Sequence, residues 1–292
     1  MSKEIKTIKK PKNYKKILII ILLSFITFCL VICSILQIGY NITEDNAYVW
    51  KPNYAMQDIS FILDKEEISD LEYQYLYEQT GLTKIGIDRA LKYKTNGKEK
   101  ILKIQENYFK DRKILKEPFG PFSCTEFING DITPIYLEKG DIVITSSTHF
   151  SFLKTGHSAL VIDGENKKTI VARKYGQNST LSSIYDFTNR INLMILRPRI
   201  DTETIEKVIN YAINNLVGLP YNAFMGADLS VTSIKETQCA HLVWFAYHKF
   251  GFELLEKSNS LVLPYDLAKS NKLELVQVYG FNPKTLWENL YF

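Results

Sequence analysis

Residues 139–174 read KGDIVITSSTHFSFLKTGHSALVIDGENKKTIVARK, and this stretch decides the fold class. Lys139-Gly140 is a turn that feeds Asp141–Thr145 into a strand. His157–Ile162 is a second strand, and Asp163-Gly164-Glu165-Asn166 is a hairpin turn leading into Thr169–Lys174. Short apolar runs joined by tight turns give a small, mainly antiparallel sheet. Leu193–Leu196 adds a strand, closed by Pro198. The period then changes. Ile205, Val208, Ile209, Ala212, Ile213 and Leu216 recur at helical spacing over Thr202–Leu216, and Cys239–Phe250 is a second helix, ended by Gly251. Strands followed by helices give an α+β domain.

Upstream of this block the chain reads as helical. Ile59, Ile62 and Leu63, then Ile68, Leu71, Tyr75 and Leu76, follow a helical face. Ser69-Asp70 is a candidate helix start and Gly81 a stop. A short helix over 84–93 is followed by the turn Thr95-Asn96-Gly97, and a charged helix over 98–112. Pro118-Phe-Gly-Pro121 breaks the pattern. Residues 40–117 are therefore expected to be a helical, membrane-proximal region that packs as a spacer on a domain spanning 118–287. Residues 288–292 (ENLYF) match the start of a common tag-cleavage site and are set aside from the fold.

At the other end, residues 17–36 read ILIIILLSFITFCLVICSIL, twenty residues without a charge, Gly or Pro. A helix of that length crosses roughly 30 Å of hydrocarbon. The run exceeds a typical signal-peptide core and no A-x-A-like site follows. Ile32 before Cys33 is bulky for a lipid-modified cysteine. The expected anchor is a transmembrane helix over 17–39. Residues 1–16 form a basic tail with seven Lys and one Glu, which the positive-inside rule keeps in the cytoplasm, with the body outside the cell membrane.

The whole chain has 292 residues and a net charge of +4. The tail contributes +6, so the body carries −2 and offers no basic surface for nucleic acid. Four cysteines are present. Cys29 and Cys33 fall in the apolar run, which leaves Cys124 and Cys239. A domain of this size does not need a disulfide.

Cys239 sits where an irregular polar stretch, Thr232–Gln238, becomes an apolar helix. Unpaired N–H groups and the dipole of a first turn favour a thiolate there, and the same N–H groups can hold an oxyanion. The other reading is a small buried apolar residue. His157 opens a strand and is either a candidate base or a buried core histidine. His241 faces away from the thiol and His248 lies more than two turns along, whereas His149 falls in a loop and could act as the base instead. Cys124 is the rival nucleophile, but Asn129-Gly130-Asp131 breaks any helix after it. No HExxH and no clustered Cys/His spacing appears, so neither a metal nor another cofactor is expected.

Two segments carry a family resemblance. Lys139-Gly140-Asp141-Ile142-Val143 with Gly156-His157-Ser158-Ala159-Leu160-Val161-Ile162 resembles the His half of NlpC-like papain-fold hydrolases. Gly218-Leu219-Pro220-Tyr221 with Gln238-Cys239-Ala240-His241-Leu242-Val243-Trp244 resembles the Cys half. His precedes Cys, as in the circularly permuted branch of YiiX/YaeF type, related to lecithin retinol acyltransferase-like proteins. Arg197-Pro198-Arg199 and Leu263-Pro264-Tyr265-Asp266-Leu267 are similar to later pieces of that branch, and Gly81-Leu82 with Ile104–Phe109 resembles its helical leader.

The resemblance implies a circularly permuted papain-like domain with Cys239 as nucleophile and His157 as general base. Tyr221 would lie beside the thiol and bind substrate, unless it is a packed core tyrosine. It implies a cysteine hydrolase acting on an amide bond, with cell-wall peptide as the expected substrate. The alternatives are an acyl-lipid hydrolase or transferase, or an inactive binding module of the same fold. Two departures stand out. The strand after His157 offers Thr169 and Arg173 where the family carries an acid, and Ala240-His241 follows Cys239 where Ser and an acid are common.

Overall fold

The computed structural model describes residues 13–93, 95–116 and 124–289. Most of the basic tail (1–12), the Pro118–Pro121 break and residues 290–292 lie outside the described residues. The molecule is a mixed α+β fold with antiparallel sheets and one long apolar helix at its start.

That helix, α1 (Tyr14–Asp45), is long and apolar enough to cross a membrane, and none of its most apolar window is covered by the body. It is followed by α2 (Ser60–Leu63), α3 (Asp70–Thr80), α4 (Lys84–Tyr93) and α5 (Gly97–Phe109). The strands are β1 (Ile114–Lys116), β2 (Cys124–Ile128), β3 (Ile142–Thr145), β4 (Thr148–His149), β5 (His157–Asp163), β6 (Lys168–Val171) and β7 (Thr180–Ser183). A short α6 (Tyr185–Thr188) precedes β8 (Leu193–Pro198). The chain ends with α7 (Thr202–Asn215), α8 (Cys239–His248), α9 (Pro264–Ala268) and β9 (Leu273–Tyr279).

The main sheet has six strands in the order β7-β6-β5-β3-β8-β9, and every pairing in it is antiparallel. It is covered on both faces, which explains why β3 is buried at every position instead of alternating. Ile142, Ile144, Leu160, Ile162, Met194 and Leu196 face α7 and α8. Val143, Ala159, Val161, Leu193 and Ile195 face the helical region instead, in one core with Leu76, Ile87, Ile101 and Ile104. The helices of 40–117 are thus one wall of the sheet's second core, a closer union than a spacer. A smaller sheet, β1-β2-β4, stands at the end of β3 nearest α1.

Local chemistry sets these elements. Ser69 opens α3 with a capping box: its Oγ accepts from the Glu72 N–H, and Glu72 accepts from the Ser69 N–H at 2.9 Å. Gly81 ends α3 in the left-handed region (φ 70°), where a Cβ would lie 2.1 Å from the Val278 carbonyl. Its own carbonyl accepts from the Val278 N–H at 2.8 Å, joining the helical region to β9. Asp201 caps α7 through the Thr204 N–H at 2.8 Å. All nine residues of α8 from Cys239 to Tyr247 are buried, as expected of a helix apolar all round.

A buried ion cluster fixes the far end of β3. Asp141 accepts two hydrogen bonds from Arg197, each 2.8 Å, and Arg197 also meets Glu138 at 2.7 Å. Burial raises the Asp141 pKa, and the Arg197 guanidinium opposes that rise.

Candidate functional site

Cys239 is the first residue of α8 and packs against the start of β5. Burial raises its thiol pKa; the Ser158 N–H, the Ala240 N–H and the Ser158 hydroxyl work against that rise. Ser158 Oγ is buried and makes no other hydrogen bond among the described residues. The Ala240 N–H is already engaged, donating to Oε1 of Gln238, the N-cap, at 2.8 Å. One donor expected to be open at this helix start is therefore used by the cap itself. Tyr221 lies in an isolated parallel bridge with Thr237, two residues before the cysteine. Its pKa is raised, first by burial and then by the neighbouring Cys239 sulfur.

The imidazole expected at this thiol lies elsewhere. Successive strand residues point to opposite faces of a sheet. Ser158, Leu160 and Ile162 face α8, so His157, Ala159 and Val161 face the other core. The His157 ring stacks on Phe187, with centroids 5.3 Å apart and planes 7° apart. Burial, followed by the Arg190 charge, lowers its pKa to about 3, so it is neutral. The structure brings Cys239 and Tyr221 together and leaves His157 across the sheet. The Cys239–His157 dyad expected from sequence is not assembled in this state, because the β5 register spends its Cys-facing position on Ser158.

The other candidates are accounted for. Thr169 is buried with its hydroxyl unbonded among the described residues, and Arg173 pairs with Asp186. His241 Nδ1 meets Thr237 Oγ1 at 3.0 Å, its ring stacks on Trp244 and Phe245, and burial lowers its pKa to about 4. His248 contacts Glu253 through Nδ1 and the Val231 carbonyl through Nε2.

A second constellation joins two residues weighed separately in the sequence, Cys124 and His149, with two acids that were not singled out there. Cys124 of β2 and His149 of β4 are direct antiparallel partners, so their side chains share a face. Glu44, in the last turn of α1, reaches the same spot. The ligand-type atoms of Glu44, Cys124 and His149 all lie within 4.8 Å of one another, and all three residues are buried. His149 Nε2 is 3.0 Å from Glu44 Oε1 and 3.3 Å from Glu126 Oε1. His149 Nδ1 is 2.8 Å from the Ser151 carbonyl. Tyr40 stacks on the imidazole, and its hydroxyl lies 3.7 Å from the Cys124 sulfur. Burial, the largest effect, raises the Glu126 pKa to about 8.

Backbone geometry holds this second site. Ser151 adopts φ 51°, a left-handed conformation uncommon outside glycine. Its carbonyl receives the Thr43 hydroxyl at 2.9 Å as well as the His149 ring, and its own hydroxyl donates to the Leu36 carbonyl at 2.9 Å. A Cβ on Gly39 would sit 2.2 Å from Ser151 Oγ, so the glycine leaves room for the Ser151 hydroxyl to reach the Leu36 carbonyl.

Comparison with protein-family models, with curated proteins and with solved structures finds no match for this chain.

Proposed function

We propose that the protein is a membrane-anchored cysteine hydrolase of the circularly permuted papain-like type, acting outside the cell on an amide bond with cell-wall peptide as substrate class. The observation that carries this reading is the Cys239 thiol at the first residue of a helix packed on the sheet, flanked by the Ser158 N–H and hydroxyl and by Tyr221. The order of the His and Cys segments in the sequence supports it. The long apolar helix supports an anchor, and the lysines before it support a cytoplasmic amino terminus.

In this mechanism His157 takes the thiol proton. The Cys239 sulfur attacks the carbonyl carbon, and the Ser158 N–H steadies the oxygen as it gains charge. The protonated imidazole returns its proton to the leaving amine, and water then releases the acyl group. His157 must first leave Phe187 for the α8 face. It is the first residue of β5 and follows Gly156, which has φ 67°, so the turnover involves a strand end and not a strand centre.

The placement of His157 favours a second reading: an inactive binding module that keeps the thiol without its base. Iodoacetamide labelling of Cys239 at neutral pH, with turnover of cell-wall peptide or acyl-lipid substrates, separates the two. The hydrolase labels faster than a free thiol and loses turnover in both Cys239→Ala and His157→Gln. Labelling no faster than a free thiol, with turnover unaffected by Cys239→Ala, overturns the hydrolase.

A further inference from the structure

We propose that Cys124, His149, Glu44 and Glu126 form a binding site for one divalent metal ion of the zinc class, placed at the joint between the apolar helix and the body. This inference does not depend on Cys239 or on hydrolysis.

The argument starts with the imidazole. Ser151 offers His149 a carbonyl, which only accepts, so Nδ1 carries the ring proton. Nε2 then presents a lone pair. The atoms facing it are the Glu44 and Glu126 carboxylate oxygens, at 3.0 and 3.3 Å. Three acceptors directed at one another are stable only with a proton or a cation between them. The Glu126 side chain is 4% exposed, and its second oxygen has no hydrogen-bond partner among the described residues. The Cys124 sulfur adds a soft donor to the same point.

This set differs from a nucleophilic Cys–His pair. Such a pair needs a ring nitrogen open to the thiol proton, with the other nitrogen held by a carboxylate. Here Nδ1 is taken by a backbone carbonyl and Nε2 meets carboxylates. Cys124 is 1% exposed, which leaves no approach for a carbonyl substrate. A backbone carbonyl on the distal ring nitrogen is the usual support for a metal-bound imidazole.

Dimensions and charge agree. A tetrahedral zinc site with bonds of about 2.0–2.3 Å has donor–donor edges of roughly 3.3–3.8 Å. Among Glu44, Cys124 and His149 the spacings run from 3.0 Å to no more than 4.8 Å, and Glu126 Oε1 lies 3.3 Å from His149 Nε2. One sulfur, one imidazole nitrogen and two carboxylates match the ligand preferences of zinc. On binding, the Cys124 thiol gives its proton to solvent. One thiolate and two carboxylates against a doubly charged ion leave one negative charge, which faces Lys154. The ligands come from α1, β2 and β4, so the ion would lock the helix end to the small sheet.

The test uses the full-length protein in detergent, stripped with a chelator and titrated with Co²⁺. The expected result is stoichiometric binding with a thiolate-to-cobalt charge-transfer band, displaced by Zn²⁺. A variant carrying Cys29→Ala, Cys33→Ala and Cys239→Ser leaves Cys124 as the last thiol without touching the site, and should keep the band in full. Adding His149→Gln to that variant should abolish it. Absence of the band in the wild-type protein, or its loss in the Cys124-only protein, overturns the proposal.

Discussion

Cys239 and Cys124 are both buried, yet the atoms around the two sulfurs differ in kind. Cys239 starts a helix and meets donors: the Ser158 N–H and hydroxyl and the Ala240 N–H, which is shared with the Gln238 cap, with Tyr221 nearby. Cys124 lies in the middle strand of the small sheet and meets an imidazole, a tyrosine hydroxyl and the Glu44 carboxylate. Donors around a sulfur stabilise negative charge on it and on an oxygen bound beside it. Acceptors around a sulfur call for a proton or a cation. The same residue type is thus set up for two chemistries, and secondary structure makes the choice. A helix start presents N–H groups, whereas an antiparallel register presents the side chain of the residue opposite.

The difference breaks most visibly at the two histidines. His149→Ala removes a fully buried ring that holds Ser151 and lies beside two buried carboxylates, and should cost about 2–5 kcal/mol of stability through the cavity and the lost hydrogen bond. His157→Ala removes a ring stacked on Phe187 without leaving a charge unpaired, and should cost about 1–3 kcal/mol. Chemical denaturation of the full-length protein in detergent measures both. Equal losses would remove the energetic side of the contrast.

Acid sharpens the contrast from the His157 side. The folded pKa is about 3 and the ordinary value is 6.5. Between those values the unfolded chain holds a proton on His157 that the folded chain does not. Stability therefore rises with pH through this window and falls as pH drops from 6.5 toward 3. Full titration is worth on the order of 4 kcal/mol. Arg190, Arg173 and Asp186 are the charges that act on the ring. His157→Phe should flatten the slope of stability against pH, and an unchanged slope would mean that other groups govern acid unfolding.

The sheet and both C-terminal helices were legible because their signals are local. Turn residues flank the strands, α7 has a repeating apolar face, and α8 is apolar throughout. The cap at Ser69 and the stop at Gly81 were equally local. Strands β1, β2, β4, β7 and β9 were not anticipated; several are short or lie outside the hairpin pattern. That Cys239 and Tyr221 are neighbours was expected only through the family resemblance of Gly218–Tyr221 and the segment starting at Gln238, not from the residues themselves. The facing of His157 was not legible, since strand alternation fixes which residues share a face but not which face meets the cysteine helix. At the second site Cys124 and His149 were noted singly, but nothing in the sequence showed that they meet each other or the two acids. Glu44, Cys124, Glu126 and His149 are scattered across more than a hundred residues, and a two-residue strand supplies the pairing that gathers them. The expectation that no metal is bound rested on short ligand spacings, and a site assembled by register escapes that test.

Gly39 tests whether the second region depends on its seat against the helix. Gly39→Ala places a methyl 2.2 Å from Ser151 Oγ and 3.3 Å from the Phe152 backbone nitrogen, so the Ser151 hydroxyl must give up its bond to the Leu36 carbonyl or the loop that holds His149 must shift. Overpacking of this kind should cost about 1–3 kcal/mol. Labelling of Cys124 should become faster while that of Cys239 stays as it was. Faster labelling of both would show that the two regions open together and that the contrast is not local.

The smallest expected effect falls on Tyr221. The Cys239 sulfur acts electrostatically on its phenol, and burial keeps the phenol protonated. A protonated phenol next to a sulfur is a donor, so it favours the thiolate that burial disfavours. Tyr221→Phe keeps the ring and its packing. Stability should change by no more than about 1 kcal/mol, the net worth of one ordinary hydrogen bond. The midpoint of the pH profile for Cys239 labelling should move upward, because the sulfur loses a donor, and Cys124 should not respond. A profile unmoved at Cys239 would make Tyr221 a packing residue alone, and would leave the backbone N–H groups and Ser158 as the whole of the donor set that distinguishes this sulfur from the other.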